Sequence, residues 1–167
     1  LCGAKVEFVD IDPKTWNISL EKLEQKLIKA KKKKTLPKVL IVVHLAGLPV
    51  NPKVLFKLSK KYKFKIIEDA SHSLGATYLS KKVGSNRWSD ITVFSLHPVK
   101  IITTGEGGLC VTNKKKLFEN MLLFKNNGIT NENKKFIFKS LGPWYYEQHE
   151  LGYNFRISEI QAALGIS

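Results

Sequence analysis

A continuous run of large apolar residues, Val39-Leu40-Ile41-Val42-Val43, most constrains how this chain of 167 residues can fold. Because the run shows no polar alternation, it predicts a strand that is buried on both faces, as in a parallel sheet. A helix is predicted on either side, the first from Ser19 to about Ala30 and the second from Asn51 to about Tyr62. Helices that alternate with buried strands indicate an α/β domain.

Further elements continue this alternation. Strands are predicted at 6–9, 64–68, 91–95 and 108–112, and helices from about Lys114 to Lys125 and after Ser158. Ser158 and Gln161 form a capping-box pattern, whereas residues 129–150 predict a polar and aromatic loop.

Composition limits the class of protein. With 43% hydrophobic and 25% charged residues, the chain can bury a core. Its longest apolar run is too short to cross a membrane and no signal peptide is visible, so we expect a soluble, cytoplasmic protein. The first residue is Leu1, which suggests the interior of a longer polypeptide. Cys2 and Cys110 lack metal-ligand spacing, and Cys110 is expected to be a small core residue.

The net charge of +14 raises the alternative of a nucleic-acid-binding module. Against it, the only arginines are Arg87 and Arg156, although arginine is favoured for recognising bases and phosphates. The lysines fall mostly on predicted helix faces and in loops, which favours solvated surfaces. We therefore expect no nucleic-acid partner.

Residues able to carry chemistry are concentrated where two predicted strands end. Asp69 and His72 follow one strand, and Ser95 and Lys100 follow another. In open α/β sheets, ligands bind at the carboxyl ends of the strands, so parallel strands would place these residues on one rim. A lysine can form a Schiff base, a carboxylate can keep a pyridine nitrogen protonated and a hydroxyl can bind phosphate. This set suits pyridoxal phosphate.

Several segments together resemble the DegT-type sugar-nucleotide aminotransferases. They occur in family order across almost the whole chain: VHLAGLP (43–49), EDASHSLGA (68–76), FSLHPVK (94–100), TTGEGG (103–108), LGYNFR (151–156) and QAA (161–163). The resemblance implies the large-domain portion of a fold-type-I (aspartate aminotransferase-like) enzyme, which is a three-layer α/β fold with a mostly parallel central sheet. Residues 1–167 would form a partial cofactor-binding large domain, without the upstream phosphate-binding segment and the downstream small domain.

The resemblance also implies roles for individual residues. Lys100 would hold pyridoxal phosphate and carry the proton during transamination, and Asp69 would pair with the pyridine nitrogen. His72 would lie against the ring or its phenolic oxygen, and Ser95 would bind the phosphate. Asn154 would reach a cofactor phosphate across a homodimer, because the family's active sites are shared between subunits.

The segment GPWYYE (142–147) is most similar to the family members that act in pseudaminic acid biosynthesis. That similarity implies transfer of an amino group from glutamate to the C4 keto group of a UDP-4-keto-6-deoxy-N-acetyl sugar. The partners would be a nucleotide sugar and glutamate. The alternative is a catalytically incomplete remnant of such an enzyme, because part of the family's site lies outside these residues.

The predicted cofactor-binding residues also have purely structural explanations. Asp69 could cap the turn that follows it, and Ser95 could be an ordinary hydroxyl at a strand end. His72 could be a packed, hydrogen-bonded histidine, and Asn154 could be a turn residue before a helix.

For other polar and aromatic residues, the sequence is compatible with more than one role. The spacing demands no catalytic role for His44 or His97, and Glu106 could either stabilise its glycine loop or touch substrate. Trp144-Tyr145-Tyr146 could form a lid, stack on a sugar or lie in an interface, of which the interface is favoured.

Overall fold

The computed structural model describes residues 3–167 and divides them between two units, one ending at Asn113 and the other spanning Lys114–Ser167. Cys2 lies outside the described residues. The elements of the first unit are α1 (Leu20–Lys32), β1 (Val39–Val43), α2 (Pro52–Tyr62), β2 (Lys65–Asp69), β3 (Thr77–Tyr78), β4 (Lys81–Lys82), β5 (Ile91–Ser95) and β6 (Gly108–Val111). Those of the second are α3 (Lys115–Lys125), β7 (Ile129–Thr130), β8 (Glu147–Gln148) and α4 (Glu159–Ile166).

The central sheet has the strand order β1-β2-β5-β6. The pairs β1-β2 and β2-β5 are parallel and β6 is antiparallel to β5, so the predicted α/β class with a mostly parallel sheet is confirmed. In this register Asp69 pairs with Val43 on one side and with Val93 on the other. The carboxyl ends of three strands therefore meet at one edge of the sheet.

The two faces of the sheet have different surroundings. On one face, which we call the covered face, Val42 and Ile66 belong to a core cluster with Leu23 and Leu27 of α1 and Leu55 of α2. Burial of these side chains stabilises the first unit.

The opposite face, which we call the open face, carries the alternate residues of the same strands. In β1 these are exposed, and Ile41 retains 64% of its accessible surface. The expectation that the apolar run is buried on both faces is therefore wrong, because α1 and α2 both pack on the covered face.

Three predicted helix starts are confirmed by their capping bonds. The Ser19 side chain accepts a hydrogen bond from Lys22 N at 3.3 Å, and the Asn51 side chain accepts one from Val54 N at 3.2 Å. The Ser158 capping box forms at the start of α4. These side chains satisfy amide groups that have no partner within their helices.

Other predictions are corrected. Residues 6–9 form no strand, since no strand among the described residues pairs with them: Phe8 is 85% exposed, while Val9 packs on the core. Residues 129–150 are not all loop, because β7 pairs with β8. Cys110 is exposed, as its register with Val93 places it on the open face.

Within residues 3–167, no helix combines the length and apolarity needed to cross a bilayer.

Candidate functional site

The carboxyl edge of the parallel strands holds four of the five predicted site residues. Asp69 ends β2 and Ser95 ends β5. Because Asp69 pairs with Val93 and side chains alternate along a strand, Asp69 and Ser95 both lie on the open face. His72 follows in the turn after β2, and Lys100 follows in the loop after β5. The structure thus gathers the backbones of these residues at one edge.

The Asp69 carboxylate is oriented by the turn that follows it. Its Oδ1 accepts hydrogen bonds from Ser71 N at 3.1 Å and from Ser71 Oγ at 2.6 Å. Its backbone carbonyl accepts a bond from His44 N at 3.0 Å, and the next amide, Ala70 N, donates to Val93 O at 2.8 Å. In the part of the chain that the structure describes, no hydrogen bond engages Oδ2. Asp69 therefore caps its turn with one oxygen and presents the other.

His72 lies against the turn that follows β1. Its Nδ1 accepts a hydrogen bond from Ala46 N at 3.3 Å, so a neutral ring carries its proton on Nε2. Gly47 has φ +85°, and a Cβ there would lie 3.0 Å from His72 O. This close approach at positive φ explains why glycine fits the position. The His72 ring is thereby fixed with a donor at Nε2.

The loop that carries Lys100 is closed at its base by backbone hydrogen bonds. Leu96 N donates to Gly107 O at 2.9 Å, and Thr104 N donates to Leu96 O at 3.1 Å. A Cβ at Gly107 would lie 2.5 Å from Oγ1 of the buried Thr104, so this base tolerates no side chain there. The loop is therefore anchored at the end of β5.

Within that loop, Lys100 N donates to His97 O at 2.9 Å and thereby closes a turn. Ser95 Oγ accepts a hydrogen bond from His97 N at 3.3 Å, which leaves the serine proton free to be donated elsewhere. Among the described residues, no hydrogen bond or ion pair engages Lys100 Nζ. Lys100 is half-buried as a residue, and its amine is thus available for a ligand.

Asn154 belongs to the second unit, where its side chain is exposed. An isolated backbone bridge joins it to Asn126, whose Oδ1 accepts a bond from Arg156 at 2.8 Å. Its predicted contact with a cofactor phosphate across a dimer stays a prediction.

Sequence reasoning missed a buried polar cluster behind Asp69, on the covered face. Glu68 accepts hydrogen bonds from Thr92 Oγ1 at 2.6 Å and Ser89 Oγ at 3.0 Å, and it lies 3.6 Å from His44 Nε2. Burial acts to raise the pKa of Glu68, but the His44, Thr92 and Ser89 contacts outweigh it and lower that pKa. The available signal was a carboxylate at a core-facing position of an alternating strand.

The residues at the edge fit pyridoxal phosphate by their chemistry. Asp69 offers a ring N–H an oxygen that has no hydrogen-bond partner within residues 3–167, Ser95 offers a hydroxyl proton for a phosphate and Lys100 offers an amine. No group of three or more histidine, cysteine, aspartate or glutamate residues within 3–167 is arranged to hold a metal ion.

Comparison with known proteins agrees with this chemistry. The model of the DegT/DnrJ/EryC1/StrS aminotransferase family matches residues 1–167. The UDP-4-amino-4,6-dideoxy-N-acetyl-beta-L-altrosamine transaminase of Campylobacter jejuni (strain 81-176) is 41% identical over 167 residues, which are 100% of this chain and 40% of that relative. The chain therefore spans about 40% of the length of such relatives.

Solved structures give the same result. Helicobacter pylori PseC, an aminotransferase involved in the biosynthesis of pseudoaminic acid, superposes with a TM-score of 0.82 at 37% identity, covering 98% of this chain and 39% of PseC. Spr1654 from Streptococcus pneumoniae, solved in a PLP form, gives a TM-score of 0.77 at 27% identity, covering 98% of this chain and 42% of its own. The likeness extends over nearly all of the residues.

Proposed function

The chain belongs to the DegT/DnrJ/EryC1/StrS aminotransferase family, and on that premise we propose that the intact protein is a pyridoxal-phosphate-dependent aminotransferase. It would transfer an amino group from glutamate to a keto group of a nucleotide-linked deoxy sugar. The observation that carries the proposal is that the backbones of Asp69, Ser95 and Lys100 lie at one sheet edge, each with a polar group left without a partner by the described part of the chain. We further propose a cytoplasmic homodimer in which Asn154 contacts the partner's cofactor.

Each residue has a task that follows from its surroundings. Bound pyridoxal phosphate supplies an electron sink for the α-carbon of the amino donor. Asp69 Oδ2 would keep a proton on the ring nitrogen, because Ser71 already occupies Oδ1. His72 would donate from Nε2 to an oxygen of the cofactor. Ser95 would donate to its phosphate, and Lys100 Nζ would bind it covalently and move the proton.

The lysine assignment is tested by borohydride trapping in the intact protein. Reduction with pyridoxal phosphate should label the peptide that contains Lys100, and Lys100→Ala should abolish the label. Lys57→Ala, on the exposed side of α2, is the matched control and should be labelled like the parent protein. A label that persists in Lys100→Ala would exclude the proposed role. An unlabelled parent protein would support the catalytically incomplete remnant instead.

For the substrate, we propose a UDP-4-keto-6-deoxy-N-acetyl sugar. The support is the 41% identity to the Campylobacter jejuni transaminase and the likeness to PseC. With glutamate as donor, the intact protein should aminate the UDP-linked sugar faster than a GDP-linked 4-keto-6-deoxy sugar, as measured by product mass. The reverse preference would exclude this substrate and leave the aminotransferase assignment standing.

A further inference from the structure

The buried cluster around Glu68 lies directly behind Asp69. Glu68 immediately precedes Asp69 in β2, so alternation directs its side chain to the covered face. The residue is 7% exposed, and its partner His44, directly after β1, is 1% exposed. Thr92 of β5 and Ser89 of the preceding loop donate to the same carboxylate oxygen, Oε2. One carboxylate thus contacts groups from the residue that follows β1, from β5 and from the loop before β5.

The hydrogen bonds in this cluster share one direction. Asn86 Nδ2 donates to Thr92 Oγ1 at 3.2 Å, and the Thr92 hydroxyl donates to Glu68. His44 Nδ1 accepts a bond from Val50 N at 3.3 Å, so its ring proton lies on Nε2, which faces Glu68 Oε1. Every neighbour therefore presents a donor, and only a group that accepts on both oxygens satisfies them all.

His44, and Val93 next to Thr92, also bond to the backbone at and directly after Asp69. His44 N donates to Asp69 O at 3.0 Å, and Val93, which follows Thr92, accepts from Ala70 N at 2.8 Å. A displacement of His44 or Thr92 on the covered face would consequently move the backbone from which the Asp69 carboxylate extends.

We propose that Glu68 is a positioning residue that sets the Asp69 carboxylate by tying β2, from the covered face, to Thr92 of β5 and to His44, which follows β1. This inference rests on the proposed function, in which Asp69 meets the cofactor. Burying a carboxylate in a core carries a desolvation penalty, and apolar replacements of buried charged groups are often neutral or stabilising. Its directional bonds, however, specify geometry in a way that apolar packing does not.

The test compares Glu68→Gln with Glu24→Gln in the intact protein. The glutamine keeps the shape of Glu68, but its NH₂ group must face either His44 Nε2–H or the two hydroxyl donors. A donor then faces a donor, and hydrogen bonds are lost. Glu24 is the matched control, because its partly exposed carboxylate lies on α1 and pairs with Lys61. Hydrogen exchange of the cofactor-free protein should accelerate about tenfold at His44 N and Ala70 N in Glu68→Gln, the effect of losing bonds to a charged group. Glu24→Gln should leave both rates unchanged.

The second measurement is the affinity for pyridoxal phosphate, together with the pH dependence of its visible absorption band. We expect Glu68→Gln to weaken binding by about tenfold to 100-fold, as misplacement of a contacting group does, and to shift the pH dependence. Should Glu68→Gln fail to fold, Ser89→Ala removes one donor and leaves the charge, and it should produce smaller changes of the same kind.

Two results would overturn the positioning role. One is parent-like exchange at both amides in Glu68→Gln, or in Ser89→Ala where that variant replaces it. The other is lower stability with an unchanged band and affinity in the folded protein, which would make Glu68 merely structural. A parent protein that binds no pyridoxal phosphate would refute the proposed function instead. The exchange rates of His44 N and Ala70 N would still test whether Glu68 holds the backbone around Asp69.

Discussion

At the scale of a single residue, Glu147 holds together a segment of the second unit that has little regular structure. Its carboxylate accepts hydrogen bonds from Ile137 N at 2.7 Å, Phe138 N at 2.9 Å and Tyr145 Oη at 3.1 Å, and it lies 2.7 Å from His149 Nε2. Burial acts to raise the pKa of Glu147, but these partners outweigh it and lower that pKa to about 2. The ionised form is therefore the one that holds the segment together.

This shift predicts a pH dependence of local order. Because the folded pKa of Glu147, about 2, is below its ordinary value of 4.5, ionised Glu147 stabilises the folded segment above pH 4.5. That contribution is lost as the pH falls from 4.5 towards 2. The amide chemical shifts of Ile137 and Phe138 should follow this loss in an acid titration monitored by NMR.

In Glu147→Gln, the shifts of both amides should be displaced already at neutral pH and should no longer titrate with Glu147. Glu150→Gln is the control, because Glu150 is exposed in the same segment and this substitution should leave the acid titration curves of the two amides as in the parent. Parent-like titration in Glu147→Gln would show that another group holds these amides.

At the scale of elements, regular periodicity and capping residues were sufficient to predict the helices and the strands of the central sheet. Ser19 and Asn51 start their helices because their side chains replace missing intrahelical partners. The alternation at residues 6–9 was misleading, since a strand needs a neighbour to pair with. The two-residue strands β3 and β7 are too short for any periodic signal.

For the site, residue type and order along the chain were sufficient to predict that Asp69 and Ser95 lie at one edge of the sheet, because parallel strands end at the same edge. The cluster around Glu68 was not predicted, since its donors come from His44 after β1, from β5 and from a loop whose approach depends on tertiary packing. Hydrogen-bond directions, such as the proton position on His72, likewise follow only from the folded neighbours.

Helix α2 should contribute strongly to stability through one residue in particular. Leu55 is 1% exposed within the core cluster on the covered face, so Leu55→Ala leaves a cavity and should lower the free energy of unfolding by about 3 kcal/mol. Urea denaturation followed by circular dichroism measures the loss. Lys57→Ala, on the exposed side of the same helix, should change stability by less than about 0.5 kcal/mol. Equal effects of the two substitutions would contradict this packing.

At the scale of the whole molecule, β1 combines two features that favour association. Among residues 3–167 it is an edge strand of the central sheet, and its open-face residues Val39, Ile41 and Val43 are all substantially exposed. Exposed apolar surface beside an unpaired strand edge promotes contacts between chains. The high net charge of +14 opposes such contacts, the more so at low salt.

We therefore expect the 167-residue polypeptide to self-associate as salt is added, and Ile41→Lys to reduce that association. Lysine at the centre of the exposed edge removes apolar surface and places a charge where a second strand would pair. Leu48→Lys is the matched control, since Leu48 is 50% exposed but lies in a loop outside the sheet. Light scattering across a salt series should show a weaker rise for Ile41→Lys than for Leu48→Lys. Equal curves for both variants would mean that added charge, and not the edge of β1, controls association.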